Sequence, residues 1–264
     1  MSSVAKVFKY ELWDVARGKS VAVYAVFLIL VSEALFRFSG VGPRALLSMV
    51  NVVLILVPLV SVVLGTVYVY NSREFNELLL SHPVNRRELF GGLYLGLAVP
   101  LSGAVAVGLL GPAAWHGALR TPGLAGTAFM LTAAGVLLTA IFVALAFLIA
   151  VRLEDRVRGL AVALVLWLFL SVLYDGFVLA VVTAFAAYPL EKAVLGMMLF
   201  NPVDLARVFL LMNFDVSALM GYTGAVFQRF FGSPLGTLVS VSALMAWVVA
   251  PLMVGARWFG RKDF

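Results

Sequence analysis

The amino-acid sequence predicts an all-α integral membrane protein with six membrane-spanning helices. The chain is 63% hydrophobic and only 12% charged, whereas soluble domains average about a quarter charged residues. Several apolar stretches of about 20 residues contain almost no charge, and this is the length that an α-helix needs to cross a bilayer. Their apolar residues are continuous rather than alternating, which favours helices over the strands of a membrane β-barrel.

The six spans follow the apolar stretches in order along a single transmembrane domain, residues 1–264. Pro58 lies inside the second stretch, where neighbouring helices can satisfy the carbonyl that a proline leaves without a donor. The predicted spans cover residues 21–38, 46–70, 89–110, 124–151, 160–183 and 235–259.

Residues 2–18 predict an elbow helix that lies along the membrane surface before the first span. Val4, Phe8, Leu12 and Val15 share one helical face, with charged side chains opposite. Such a helix places its apolar face among the lipid headgroups. Charges are spread through this segment and no cleavage site follows the first apolar stretch, so we do not expect a cleaved signal peptide.

The distribution of basic residues predicts the orientation of the chain. Thirteen of the nineteen lysines and arginines fall on the side that holds both termini and the segment between spans two and three. Because cytoplasmic loops are enriched in these residues, we expect both termini in the cytoplasm and the chain in the inner cell membrane. Membrane orientation thus accounts for the net charge of +6, which predicts no nucleic-acid partner.

The polar segment between spans two and three, residues 72–88, carries a short apolar stripe of its own. Phe75, Leu78 and Leu79 recur at helical spacing, and Pro83 then stops the helix. A short amphipathic helix of this kind either docks on an ATP-hydrolysing partner or rests on lipid headgroups, and the pattern leaves both open. In the docking interpretation, the charged residues that orient the contact are Glu74, Glu77, Arg86 and Arg87.

The connection between spans five and six, residues 184–234, is roughly 50 residues long and still apolar. It predicts two or three short helices folded over the outer mouth of the bundle. Asn201 and Pro202 predict a helix start, because proline is favoured at the first helical position, and Asp204 falls in the first turn. Together with Arg207, these residues are candidates for orienting an outer helix against a periplasmic partner.

Two acidic residues fall inside the predicted spans. Asp175 lies beside Tyr174 in the outer part of span five, and Glu33 lies in the outer half of span one. A carboxylate in hydrocarbon costs about 2.5–3.5 kcal/mol on insertion scales, so each should face protein or water. Asp175, Tyr174 and Glu33 are therefore candidates for a translocation path. The alternatives are a structural hydrogen bond for Asp175 and a headgroup-level position for Glu33.

The sequence offers few groups for catalysis or for a cofactor. The chain has no cysteine and only two histidines, His82 and His116. It lacks the metalloprotease motif HExxH and any recognisable nucleotide-binding motif, so we expect a non-catalytic chain that binds no cofactor. Methionines of the outer connection offer thioether ligands for Cu(I), although methionines in apolar segments usually serve packing. These are Met197, Met198, Met212 and Met220.

The elbow helix, the six spans and the segment between spans two and three resemble the permeases of ABC-2 type transporters. The residues that resemble their coupling element are 77–88, ELLLSHPVNRRE. The family usually has a Gly-Thr pair where this chain has Asn76 and Glu77. Within the family, the likeness is strongest to the permeases that serve nitrous oxide reductase. Two stretches carry that likeness: WLF at 167–169 leading to Tyr174 and Asp175, and LFNPVDLAR at 199–207.

This resemblance implies a homodimeric permease driven by a separate ATPase subunit, which would bind ATP and Mg²⁺. It also implies a periplasmic partner and a role in supplying copper to nitrous oxide reductase. Two other classes stay open. A stand-alone channel or secondary transporter would favour charges in several spans or paired repeats. A non-transporting membrane anchor of an assembly complex would need the same docking surfaces as a permease.

Overall fold

The computed structural model describes residue 15 and residues 18–73, 85–185, 191–213 and 234–261. In this part of the chain, the regular structure is helical, and six helices are long and apolar enough to cross a membrane. The predicted all-α membrane class is thereby confirmed.

The helices extend a few residues beyond most of the predicted apolar stretches, because backbone hydrogen bonding continues through the headgroup region, which hydropathy does not register. The membrane helices are α1 (Lys19–Ser39), α2 (Pro43–Asn71), α3 (Arg86–Trp115), α4 (Leu124–Arg152) and α5 (Arg156–Ala184). They are followed by two short helices, α6 (Glu191–Leu199) and α7 (Pro202–Asn213), and by the last membrane helix, α8 (Pro234–Arg261).

The α4 helix is the centre of the bundle. It packs against α2, α3 and α8, and it also contacts α5 and α7. Its inward side chains Leu138, Ile141 and Phe142 are fully buried. The α1 helix packs mainly on α3, and α5 packs mainly on α2. Of the six membrane helices, α5 is the least buried, so much of its apolar surface is left for lipid or a partner.

Aromatic side chains join the helices near the end that carries Arg73, Arg152 and Arg261, which we call the basic end. Phe147 of α4 makes edge-to-face contacts with Phe90 and Tyr94 of α3, with ring centroids 5.6 and 5.9 Å apart. Pairs of this geometry are favourable beyond the area they bury. They fix the rotation of α3 against α4 in this half of the bundle.

The α2 and α5 helices each contain one π-helical segment near the middle, Val52–Leu56 and Phe169–Leu173. A π turn interrupts the regular α-helical ladder of hydrogen bonds. No water is available inside a bilayer, so a carbonyl that such a break exposes must find its donor within the protein. Pro58 follows the first segment, and its missing N–H removes one further donor.

Side chains from other elements supply donors to both π segments. Trp167 Nε1 of α5 donates to the carbonyl oxygen of Ile55 in α2 at 3.0 Å. Asn201 Nδ2, just before α7, donates to the carbonyl oxygen of Leu170 in α5 at 2.8 Å. The α7 helix contacts both segments. The two interruptions thus fasten α2, α5 and α7 to one another at the middle of the bundle.

Gly108 allows a close approach of α3 to α1, and we expect Gly108→Ala to destabilise the bundle. A Cβ at this position would lie 2.5 Å from Leu28 Cβ, an atom held directly on the backbone of α1. The two helices would have to separate, and overpacking of this kind costs about 1–3 kcal/mol. The measurement is the thermal unfolding midpoint of the purified protein in detergent, which should fall.

The matched control for this prediction is Gly111→Ala, about one turn further along α3. Nothing lies within 4 Å of the Cβ that this substitution adds, so the variant should unfold at or above the wild-type temperature. An equal loss in both variants would contradict a tight contact at Gly108.

Candidate functional site

Most of the predicted docking residues lie outside the described part of the chain, as does most of the predicted elbow helix. These docking residues are Glu74, Phe75, Glu77, Leu78, Leu79 and Pro83. The remaining two, Arg86 and Arg87, are the first residues of α3. The side-chain oxygen of Asn85 caps this helix by accepting a hydrogen bond from the Arg87 backbone N–H at 3.1 Å. The polar segment therefore leads directly into a capped membrane helix.

Arg73, at the start of that segment, ties the end of α2 to the end of α4. Its guanidinium donates to the carbonyl oxygens of Ala150 and Leu153 at 3.1 and 2.9 Å, and to that of Glu154. The last carbonyls of a helix lack partners within it and form the negative end of its dipole, so a cation is favourable there.

Tyr70 strengthens the same junction. Its hydroxyl donates to the Leu153 carbonyl at 2.9 Å, and the Arg73 guanidinium lies 4.4 Å from the centre of its ring. Gly159, in the first turns of α5, sits against this ring, where a Cβ would overlap the hydroxyl. We call Tyr70 and Arg73, with the carbonyls of residues 150–154 that they bind, the Arg73 clamp. It joins the start of the polar segment to the turn between α4 and α5.

Sequence reasoning treated Arg73 only as one of the basic residues and assigned no role to Tyr70. The available signal is their spacing, because residues three apart share one helix face in the last turn of α2. Their partners are backbone carbonyls about 80 residues further along the chain. Every residue has a backbone carbonyl, so no sequence motif marks the carbonyls that are bound. The spacing could therefore indicate that Tyr70 and Arg73 share a face, but it could not indicate what they bind.

At the opposite end of the bundle, Asp175 of α5 meets Arg207 of α7. Arg207 Nη1 donates to the carboxylates of Asp175 at 2.6 Å and Asp204 at 3.1 Å. Asn201 Nδ2 donates to the other oxygen of Asp204 at 3.0 Å. The Asp175 side chain is 48% exposed and that of Arg207 30%, whereas Asn201 and Asp204 are buried. We call these four residues the Asp175 cluster.

Asn201 of this cluster and the neighbouring Tyr174 also hold the surrounding helices. The Asn201 side-chain oxygen accepts from the Val203 backbone N–H at 3.0 Å, so it caps α7, which begins at the buried Pro202. The Tyr174 hydroxyl donates to the Met197 carbonyl at 2.7 Å and thereby links α5 to α6. Contact with a periplasmic partner stays a prediction for Asn201, Pro202, Asp204 and Arg207. In this structure, Arg207 is partly exposed and the other three are buried.

The charge of the Asp175 cluster depends on pH near neutrality. Burial raises the pKa of Asp204 to about 7, and the neighbouring Asp175 carboxylate acts in the same direction. The Arg207 guanidinium and the Asn201 amide oppose this rise. Below this pH, Asp204 is mostly protonated and Arg207 is left to pair with Asp175. Above it, two carboxylates share one guanidinium.

Glu33 belongs to a different site. Its carboxylate pairs with Arg37 at 2.8 Å, one turn further along α1, and with His116 Nε2 at 3.0 Å, at the end of α3. The His116 ring also stacks on Phe36, with centroids 5.2 Å apart. Among the described residues, no hydrogen bond or ion pair joins Glu33 to Asp175. The three predicted path residues thus fall into two separate groups, and their role in a path stays a prediction.

Within the described ranges, no group of three or more acidic or histidine side chains is arranged to hold a metal ion. Met197 and Met198 lie partly buried in α6. The Met212 side chain and all of Met220 fall outside the described structure. Both roles considered for these four methionines, packing and copper ligation, therefore stay open.

The comparison with known proteins shows the family of this chain. Residues 52–264 match the family model described as "ABC-2 family transporter protein". The chain belongs to the ABC-2 transporter permease family. It is thus a multi-pass membrane protein and a permease subunit of an ABC transporter. The matched region begins at the π segment of α2 and includes both the Arg73 clamp and the Asp175 cluster.

Two relatives align with this permease along nearly its whole length. The "Probable ABC transporter permease protein NosY" of Pseudomonas aeruginosa is 26% identical over 273 residues, covering 97% of this chain and 95% of the relative. The protein of the same name from Stutzerimonas stutzeri is 24% identical over 281 residues, covering 99% of each chain.

We expect the titration of Asp204 to make the stability of the folded protein depend on pH. Its pKa of about 7 in the folded protein lies above the value of about 3.9 in an unfolded chain. The folded state therefore binds more protons in this window. The contribution to stability is fully present below about pH 4 and is lost as the pH rises through about 7. Asp204→Asn should make the thermal unfolding midpoint in detergent less dependent on pH between these values.

A second variant checks the cause of the shift. Because the Asp175 carboxylate raises the pKa of Asp204, Asp175→Asn should move the pH-dependent loss of stability to lower pH without removing it. If Asp204→Asn and the wild type show the same pH dependence, Asp204 is not the titrating group.

Proposed function

We propose that this permease works as a homodimer, driven by a separate ABC ATPase, in the maturation of the copper sites of nitrous oxide reductase. The observation that carries the coupling part is the Arg73 clamp, which stands where the polar segment 72–88 leaves the membrane. The nitrous oxide reductase part is supported by the two relatives named NosY, which align with almost the entire chain.

Through the clamp, a displacement of the polar segment would be transmitted to the helix bundle. The last turn of α2 is bonded to the carbonyls at the end of α4, and Tyr70 packs on Gly159 at the start of α5. A displacement at residue 73 would therefore move α2 and the turn before α5 together. Both helices contain a π segment in their middle, and such irregular turns are where helices bend.

Movement of α5 would reach the opposite end through the Asp175 cluster. Asp175 lies on α5, whereas Arg207, Asp204 and Asn201 belong to α7 or its cap. The ion pair and the hydrogen bond of Asn201 to Leu170 thus link α5 to α7. We propose that the cluster, rather than Glu33, lines the translocation path, because its two partly exposed side chains join α7 to α5, the least buried membrane helix.

The exposure of α5 also supports the homodimer. An ion pair that faces lipid is costly, and a second copy packed along α5 would shield Asp175 and Arg207 from hydrocarbon. The two clusters would then border one opening between the copies. A periplasmic protein resembling NosD would bind over this opening. An ATPase resembling NosF, carrying ATP and Mg²⁺, would bind the polar segment at the basic end. The remaining apolar surface would contact lipid.

The coupling proposal predicts that Glu77→Arg with Leu78→Asp releases the ATPase. The measurement is co-purification in detergent with the ATPase encoded beside this permease. The wild type should retain the ATPase and the double variant should lose it, because a reversed charge and a buried carboxylate oppose docking. Both proteins must remain folded and dimeric for the comparison.

A matched variant separates docking from transmission. Tyr70→Phe with Arg73→Gln breaks the clamp but leaves residues 74–88 unchanged, so it should bind the ATPase and lose transport-coupled ATP hydrolysis. If no ATPase associates with the wild type, or if the Glu77 and Leu78 variant binds as well as the wild type, the polar segment is only an interfacial helix. The channel or anchor alternative would then replace the coupled permease.

The nitrous oxide reductase proposal predicts a copper-deficient reductase in the native host when the permease gene is deleted. Restoring the wild-type gene should restore copper content and nitrous oxide reduction. Asp175→Asn with Arg207→Gln removes both charges of the ion pair and keeps a polar side chain at each position. It should fail to restore either, although the ATPase still binds. The control Glu33→Gln should restore both. Normal copper content in the deletion strain would refute this role and leave the coupling proposal standing.

A further inference from the structure

An apolar groove of about 490 Å³ runs between α4 and α8. Leu145 and Leu148 form the α4 wall, and Ala243, Ala250 and Val254 lie along the α8 wall. The three α8 residues share one helix face, because spacings of seven and eleven residues are close to two and three whole turns. The alanine methyl groups leave room for a slender apolar ligand between the two helices.

The groove leads into a cationic cavity of about 290 Å³ at the basic end of the bundle, lined in part by Arg152 and Trp258. Leu148 and Arg152 are one turn apart on α4, and Val254 and Trp258 are one turn apart on α8. The second cavity therefore follows directly on the first. The Arg152 guanidinium lies 4.8 Å from the centre of the Trp258 ring, which holds this charge at the end of the groove.

The charge of this cavity selects the kind of ligand. Its walls include two exposed arginines, Arg152 and Arg261, and one carboxylate, Glu154, so the arginines are in excess. Arg261 is eighteen residues, five whole turns, from Ala243 and so lies on the same face of α8 as the groove. Trp258 adds an aromatic ring of the kind that anchors proteins at the headgroup level.

Another role for the two arginines is that they compensate the helix dipoles. Each lies in the last turn of its helix, where a cation is favourable, and long side chains there reach toward headgroups. That role requires only a basic residue near each helix end. It does not require Arg261 to share a face with an open apolar groove, nor Arg152 to stack at its mouth.

We infer that the groove and the cavity together form a binding site for an anionic phospholipid. One acyl chain lies between α4 and α8, and the phosphate lies between Arg152 and Arg261. Basic pockets between membrane helices are a recognised way of binding such headgroups. The groove lies between α4 and α8, and the site does not depend on the proposed transport function.

The test measures lipid retained by the intact purified permease, with phosphatidylglycerol and phosphatidylcholine as probes and native mass spectrometry as the readout. The wild type should retain one phosphatidylglycerol per chain and prefer it over phosphatidylcholine. Arg152→Gln with Arg261→Gln should weaken phosphatidylglycerol binding by about fivefold or more. The binding of phosphatidylcholine should be little changed, because that headgroup carries no net charge.

The matched control is Arg156→Gln with Arg158→Gln, which removes two arginines from the start of α5 at the same end of the bundle. It should keep the wild-type preference. Ala250→Phe fills the groove without altering the charge, and it should weaken the binding of both lipids. If the Arg152 and Arg261 variant does not fold, Ala250→Phe provides the test, because it acts on the acyl chain.

Four outcomes would overturn the inference. The preference for phosphatidylglycerol could survive in the Arg152 and Arg261 variant, or it could fall equally in the control, which would indicate diffuse charge. Soluble glycerol phosphate could displace the lipid, which would indicate a site for free phosphate. Finally, the chain has no cysteine, so a disulfide between copies of Ala250→Cys in native membranes would show that a second copy covers the groove.

Discussion

A carbonyl oxygen in the middle of a membrane helix must find its donor within the protein, and the fold of this permease depends on two such contacts. Trp167 donates to Ile55, and Asn201 donates to Leu170, each at a π segment. Because each donor comes from a different element, satisfying the backbone also joins helices. The irregular turns of α2 and α5 are therefore stable only while α2, α5 and α7 stay together.

The same constraint links the two ends of the molecule. At the basic end, Arg73 and Tyr70 bind the carbonyls that α4 leaves unsatisfied. Between the middle of the bundle and the opposite end, Asn201 caps α7, bonds to the π segment of α5 and donates to Asp204, which pairs with Arg207. In both places, a backbone carbonyl of one element is bound by a side chain of another. Structural stability and any transmission between the ends would thus use the same contacts.

The helices around α4 present chemically different surfaces to the membrane. The α5 surface is apolar but carries a partly exposed ion pair, which suits a protein partner that can shield it. The groove between α4 and α8 is apolar along its length and ends in two arginines, which suits one acyl chain and an anionic headgroup. The α4 helix itself is covered on most sides, so it acts as the common support for both surfaces.

Sequence reasoning alone predicted the membrane class, the six spans and the start of α7 at Asn201 and Pro202. Hydropathy and helix capping are local properties that each segment carries by itself. Three contacts became visible only in the folded chain: Asp175 pairs with Arg207, Glu33 pairs with His116, and Arg73 binds the end of α4. From the sequence, Glu33 and Asp175 were predicted to belong to one path, because both are acidic and lie in the outer halves of their spans. Such contacts depend on how each helix is rotated against its neighbours, and a continuous apolar stretch leaves that rotation undefined.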